Sequence, residues 1–132
     1  MNNAQIAKEL VLAFNRHDTS GIMTLFAEKG SFRDAILEEP LYGEDAAKYF
    51  DEVFAAFPDF NVEVLSITAD DQQAVIEWNL RGTFEGEFQG MRPTGNSFLF
   101  SGASILRISG GKIVAIQEYW DSRVFMEQLG IQ

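Results

Sequence analysis

The sequence predicts an α+β fold, with helices gathered on one face of a curved antiparallel sheet. Three observations predict it. Apolar residues recur at helical spacing as far as Phe57, the period switches to two between Phe60 and Trp120, and a last helical stripe follows.

Ile6, Ala7, Leu10, Val11 and Phe14 have the i, i+4, i+5, i+8 spacing of an amphipathic helix, which the stretch Asn15-Arg16-His17-Asp18 ends. A short second helix carries Ile22, Leu25 and Phe26, with Asp18, Thr19 or Ser20 available to cap it. The two helices form a hairpin, and His17, in its polar turn, is expected to face solvent. Ser31-Phe32-Arg33-Asp34 reads as a short extended piece, and Glu38 to Gly43, with Pro40, as a loop. Glu44 and Asp45 then suit a helix N-terminus ahead of Tyr49, Phe50, Val53, Phe54 and Phe57, and Pro58 stops that helix.

From here the pattern is β. Phe60, Val62 and Val64 alternate with Asn61 and Glu63, and the turn Ala69-Asp70-Asp71-Gln72 leads into a second strand from Val75 to Arg81. A Gly-rich segment, Gly82 to Gly95, follows. Phe98 to Ile108 is a third strand, joined by the hairpin turn Ser109-Gly110-Gly111 to a fourth, Lys112 to Trp120. The closing helix holds Val124, Phe125 and Leu129. No repeat or linker interrupts the order, and 132 residues fit one domain able to bury roughly two-thirds of its unfolded surface.

Composition narrows the chemistry. The chain has no cysteine and one histidine, which removes thiolate nucleophiles, Cys-type metal sites and nearly any Ser-His-Asp arrangement. Carboxylates must carry the protons of any enzyme built this way, and no metal or cofactor is expected. A net charge of -10 repels phosphate backbones and anionic membrane surfaces, so neither nucleic acid nor membrane is an expected partner. The start MNNAQIAKEL has no basic leader, and no run approaches a membrane span, so a soluble, unprocessed, cytoplasmic protein is expected. Twelve Phe, two Trp and three Tyr imply either a large core or a core with an aromatic-lined hole in it.

Several phrases together resemble the nuclear transport factor 2-like superfamily and, within it, the SnoaL-like polyketide cyclases and ester cyclases. Phe14-Asn15-Arg16-His17-Asp18 with Leu25-Phe26-Ala27-Glu28 is similar to the first helical hairpin of that superfamily. Phe57-Pro58-Asp59-Phe60 and the segment from Gly86 to Gly95 resemble further family phrases. Gly111-Lys112-Ile113-Val114, Tyr119-Trp120-Asp121 and Gln128-Leu129-Gly130 resemble its C-terminal signature. The resemblance covers nearly the whole chain. It implies a cone-shaped sheet wrapped around a pocket closed by helices, an apolar small-molecule ligand, and a homodimer. It leaves function open, because the fold carries isomerases, cyclases, epoxide hydrolases and plain binding modules.

Three carboxylates are candidates for catalysis. Asp121 matches the acid/base aspartate of the family by its seven-residue distance to Gln128, but its position between last strand and last helix equally suits an N-cap. Asp34 matches the general base of ketosteroid isomerases, which lies in the extended piece after the second helix, and it reads equally as a loop or surface residue. Glu118 shares a strand face with Val114, Ile116 and Trp120, a face the resemblance turns toward the pocket; there it needs a partner, and Arg81 or Arg107 could supply one.

The family pattern also departs. Leu10 and Ser104 align with the oxyanion-hole tyrosine and protonated aspartate of steroid isomerases, and losing one such donor costs about 10²–10³ in rate, so steroid isomerisation is not expected. Ile116, Glu118 and Phe84 stand where SnoaL-like chains often have histidines. Phe14, Tyr42, Phe50, Phe54 and Trp78 are candidate ligand contacts or ordinary core. The same holds for Met91, Phe100, Ser104, Trp120 and Phe125.

Two functions remain in view: a cofactor-free acid/base enzyme of cyclase or isomerase type acting on an apolar carbonyl compound, and a non-catalytic ligand-binding or dimerisation module. Epoxide-hydrolase-type water activation is a third, which needs a second carboxylate and an Arg converging with Asp121.

Overall fold

A computed structural model describes residues 1–131. Helix α1, Asn3–Asn15, opens on a capping box: Asn2 Oδ1 accepts from the Gln5 backbone N–H, and Gln5 Oε1 accepts from that of Asn2, both at 2.8 Å. Asp18 caps α2, Thr19–Leu25, by accepting from the Gly21 N–H at 3.0 Å. The chain then enters β1, Phe26–Arg33, and β2, Leu41–Tyr42. Helix α3, Gly43–Ala56, carries Glu44 and Asp45 in its first turn and ends before Pro58. Strands β3, Asn61–Ala69, β4, Gln73–Thr83, β5, Ser97–Ser109, and β6, Lys112–Tyr119, form the main sheet, and α4, Ser122–Leu129, closes the chain.

The six strands lie in the order β2-β1-β6-β5-β4-β3, a curved sheet left open at β2 and β3. It is mixed rather than wholly antiparallel, because β1 runs parallel to β6, with Phe32 opposite Ile116. β1 is also longer than the four residues legible as extended. Its parallel partner, β6, lies more than eighty residues away in sequence, so local pattern does not reveal it.

Helices α1 and α3 cover the concave face, their stripes Ile6, Ala7, Leu10 and Tyr49, Phe50 meeting Ile76, Leu106 and Ile116 from the sheet. The segment from Phe84 to Asn96 returns under the end of α3. The Glu85 and Gly86 N–H groups both donate to the Ala56 carbonyl, and a Cβ on Gly86 would stand 2.8 Å from the Ala55 oxygen. That close approach needs a glycine, and it buries Phe84 and Phe88 in the core.

Strand parity fails at bulges: one in β3, between Val64 and Ser66, leaves both Val64 and Leu65 exposed, and another lies where β5 meets β6. The latter, between Arg107 and Ile108, pairs Ile113 with Ile108 but Ala115 with Arg107, so Ile113 is buried and Val114 turns outward, 38% exposed. Val114 therefore leaves the inner face expected for it, and Ile113 replaces it. His17 departs from expectation as well. At φ +54° its ring stacks on Phe54, centroids 4.6 Å apart, and its Nε2 lies 2.9 Å from the Phe60 carbonyl, so it pins the helical hairpin to the chain after α3 instead of facing solvent.

Candidate active site

A cavity of about 80 Å³ lies between the concave sheet face and helices α1 and α3. Its walls are chiefly aromatic and aliphatic, and its polar side chains are few: Asp34, Tyr49, Trp78, Ser104, Glu118 and Trp120.

Asp34 follows β1 and is 7% exposed. Its Oδ2 accepts from the Tyr49 hydroxyl at 2.5 Å, and its Oδ1 accepts from the Ile36 and Leu37 N–H groups at 3.1 and 3.2 Å. Burial raises its pKa above the ordinary value, against the opposing pull of these hydrogen bonds. Burial and the adjacent Asp34 charge likewise raise the Tyr49 phenol, which therefore stays a hydrogen-bond donor.

Glu118 enters from β6, directly opposite Ser104 of β5. Ser104 Oγ donates to Glu118 Oε2 at 3.1 Å, and Trp120 Nε1 donates to Oε1 at 3.3 Å. Trp78 Nε1 donates in turn to Ser104 Oγ at 2.9 Å. Burial, reinforced by the Asp34 charge, pushes the Glu118 carboxyl up to about 8. Two carboxyl groups in one low-dielectric space resist ionising together. Asp34 holds three hydrogen bonds, one of them short, and Glu118 two longer ones, so Asp34 ionises first and Glu118 keeps its proton at neutral pH.

A profile described as SnoaL-like polyketide cyclase matches residues 4–129. The chain belongs to this family. No curated protein matches it. Among solved structures, this SnoaL-like chain is similar to AclR of Streptomyces galilaeus, a candidate hydroxylase, at 28% identity over 97% of this chain and 80% of that one, TM-score 0.83. It is similar to a candidate SnoaL-like polyketide cyclase from Jannaschia sp. CCS1 at 17% identity, 98% and 92% coverage and TM-score 0.88. A third is IdmH, a candidate polyketide cyclase from Streptomyces antibioticus, at 24% identity, 99% and 100% coverage and TM-score 0.80. The family supports a cyclase-type small-molecule pocket protein.

Within this SnoaL-like frame, Asp34 and Glu118 come together at the cavity, but Asp121 does not join them. Asp121 is exposed and caps α4, its Oδ1 accepting from the Arg123 and Val124 N–H groups at 2.9 and 3.4 Å. That position, one residue past the inward Trp120, turns its side chain back along the new helix and off the cavity wall. Arg81 and Arg107 are both exposed, so Glu118 is partnered by a hydroxyl and an indole N–H rather than by a guanidinium.

Phe14, Phe50, Trp78 and Phe100 line the cavity, as do Ser104, Trp120 and Phe125. Three other expected contacts do not. Tyr42 is 55% exposed at the sheet edge, where it begins α3, and Phe54 lies behind the wall, stacked on His17. Met91 is held in a tight turn by paired backbone bonds with Phe88, and it is Phe88 that reaches the cavity. Tyr49 escaped sequence reasoning. Its signal was available: it is the one residue of the α3 apolar stripe with a hydroxyl, and a buried tyrosine hydroxyl needs a partner. Leu10 lines the cavity and brings no donor.

No group of three or more potential metal ligands gathers among the described residues, and no helix there is long and apolar enough to cross a membrane.

Proposed function

We propose that this SnoaL-like protein is a cofactor-free acid/base enzyme that carries out cyclase-type proton transfer on an apolar carbonyl compound. The observation that carries the proposal is the convergence of Asp34 and Glu118, differently hydrogen-bonded, on one aromatic cavity. Asp34, as carboxylate, takes a proton from the carbon beside a substrate carbonyl. Glu118, as carboxylic acid, donates a hydrogen bond to that carbonyl oxygen as charge builds on it. The carbon then attacks a second carbonyl of the same molecule, a carbon–carbon bond closes, and the new alkoxide recovers the proton from Asp34. No atom is gained or lost, so no co-reactant is needed.

A thermal-shift screen of polyketide-, steroid- and terpene-like carbonyl compounds tests this reading, because a ligand at 100 times its dissociation constant adds roughly 2.7 kcal/mol. For a hit, Asp34→Asn should abolish turnover and Glu118→Gln should reduce it. A flat screen, or full turnover by Asp34→Asn, overturns the proposal. Water activation between carboxylates and an arginine has less support: Asp121 lies off the cavity, and no arginine lines it.

One observation favours a second reading, a non-catalytic ligand-binding module. Tyr49, Ser104, Trp78 and Trp120 already donate to acceptors in the wall, which leaves the Glu118 carboxyl hydrogen to meet a ligand. A ligand that binds unchanged, with no isomer formed, decides for that reading. We extend the proposal to a single-domain homodimer in the cytoplasm. Leu99, 61% exposed, and Tyr119, 59% exposed, share the convex face with Ala103 and Ile105, and the cysteine-free composition suits a reducing compartment. Light scattering at micromolar concentration tests the dimer.

A further inference from the structure

Ser104 stands where it must both accept and donate. An indole N–H can only donate, so Trp78 Nε1, 2.9 Å from Ser104 Oγ, occupies one of the two acceptor lone pairs of this hydroxyl and biases it toward donating on its other side. Its single hydrogen is thereby directed to Glu118 Oε2, 3.1 Å away. Trp120 Nε1, also a pure donor, approaches the other carboxyl oxygen at 3.3 Å. Trp120 Nε1 cannot accept, and while Ser104 spends its hydrogen on Oε2 a protonated Glu118 directs its own hydrogen at neither of them. The remaining direction is the cavity, which Glu118 lines.

The backbone seats this chain of contacts across three adjacent strands. Trp78 on β4 pairs with Gly102 on β5, and Ser104, two residues on, pairs with Glu118 on β6. A Cβ on Gly102 would stand 2.6 Å from Trp78 Cη2 and 2.7 Å from the Tyr119 carbonyl oxygen. The missing side chain at Gly102 is what lets the indole lie across β5 and reach Ser104. The sequence thus devotes a glycine, a serine and a tryptophan to one carboxyl group.

We propose that Trp78 and Ser104 are positioning residues that turn the carboxyl hydrogen of Glu118 into the cavity, so that this hydrogen is the one the wall presents to a ligand's carbonyl oxygen. The proposal rests on the acid role given to Glu118 above, but the orientation is a property of the ligand-free protein and is measured without substrate. The other titratable groups coupled to Glu118 are Asp34 and Tyr49, which hydrogen-bond to each other and not to Ser104 or Trp78.

The test is a pH titration of the ligand-free protein carrying ¹³C-carboxyl glutamate, with the Glu118 signal identified by its loss in Glu118→Gln. Ser104→Ala removes a donor to the carboxylate and should move the Glu118 midpoint up by about one pH unit. Ser104→Thr keeps the hydroxyl and should leave it near the wild-type value. Trp78→Phe removes the donor that biases Ser104 toward donating, so the hydroxyl more readily accepts from the carboxyl, which favours the neutral acid, and the midpoint should also move up. A Ser104→Ala midpoint equal to wild type, or a folded Trp78→Phe with no change, overturns the proposal. If Trp78→Phe does not fold, the Ala and Thr variants at position 104 decide alone. Midpoints that move as expected in a protein that turns over no carbonyl compound uphold the orientation and defeat only the acid role.

Discussion

Tyr49 donates its hydroxyl hydrogen to Asp34 Oδ2 at 2.5 Å, joining the apolar stripe of α3 to the carboxylate at the end of β1. The other oxygen of Asp34 holds the N–H groups of Ile36 and Leu37, and Ile36 is itself part of the cavity wall. One buried carboxylate therefore fixes the proposed base and a piece of the cavity lining at once.

Replacing Tyr49 by Phe removes the hydrogen bond that most opposes the burial of the Asp34 charge. The Asp34 carboxyl then ionises at higher pH, and the acid limb of the activity profile moves up. Stability at neutral pH falls by about 1–3 kcal/mol, the cost of an unsatisfied buried acceptor. The deficit narrows as pH falls and Asp34 takes up a proton. Chemical denaturation across pH checks this; a deficit that does not vary with pH counts against an ionised Asp34.

Glu118 gives a pH dependence of defined sign. Its carboxyl is raised from 4.5 to about 8 by burial and the Asp34 charge, so the folded state holds the proton more tightly than the unfolded chain. The stability it confers is fully present below the unfolded value and is lost as pH rises through about 8. Glu118→Gln cannot ionise. Its melting temperature should differ little from wild type at about pH 4, below the unfolded value, and exceed it by at least about 5 °C at pH 9. Equal melting curves at pH 9 would show that Glu118 does not ionise at a cost inside the fold.

How much of this was legible in the sequence follows from how local each signal is. The stripes of α1, α3 and α4 are set by neighbours three and four residues apart, and period and caps gave their places closely. β1 is stabilised by a parallel partner far along the chain, so only its last residues looked extended. Alternation read β4 and β5 well but placed Val114 inside, because a bulge is a property of the paired strands and not of one strand's pattern. The site was half legible for the same reason. Glu118, by strand parity with the family resemblance, and Asp34, by the resemblance, were candidates that line the cavity, whereas the contacts that partner them, Tyr49 to Asp34 and Ser104 to Glu118, join separate elements and carry no local spacing.

Gly102 is a position where one added carbon should disturb the site. The Cβ of Gly102→Ala meets Tyr119 O at 2.7 Å, which is backbone within the β5–β6 ladder and cannot swing aside, and Trp78 Cη2 at 2.6 Å. The strand or the indole must shift. The expected cost is about 1–3 kcal/mol, typical of overpacking a filled interior. Urea denaturation measures the cost, and near-ultraviolet circular dichroism should report a changed Trp78 environment. An unchanged spectrum with full stability would mean that the indole does not lie over Gly102.

Asp121, legible in the sequence as either an acid/base or an N-cap, takes the capping place in the structure. It accepts from the Arg123 and Val124 N–H groups at the start of α4, whose inner residues Phe125 and Leu129 are buried in the core. Removing the cap in Asp121→Ala leaves those two N–H groups without their protein acceptor and should destabilise the fold by about 0.5–2 kcal/mol. Asn and Ser are cap residues of comparable strength, so Asp121→Asn and Asp121→Ser should recover most of that loss. Because the side chain lies off the cavity, all three variants should bind ligand as wild type does and, once folded, match its turnover. The discriminating variant is Asp121→Asn, which keeps the cap and abolishes the charge. Loss of turnover in that variant at an unchanged melting temperature would return Asp121 to the catalytic set and displace the Asp34–Glu118 pair as its centre.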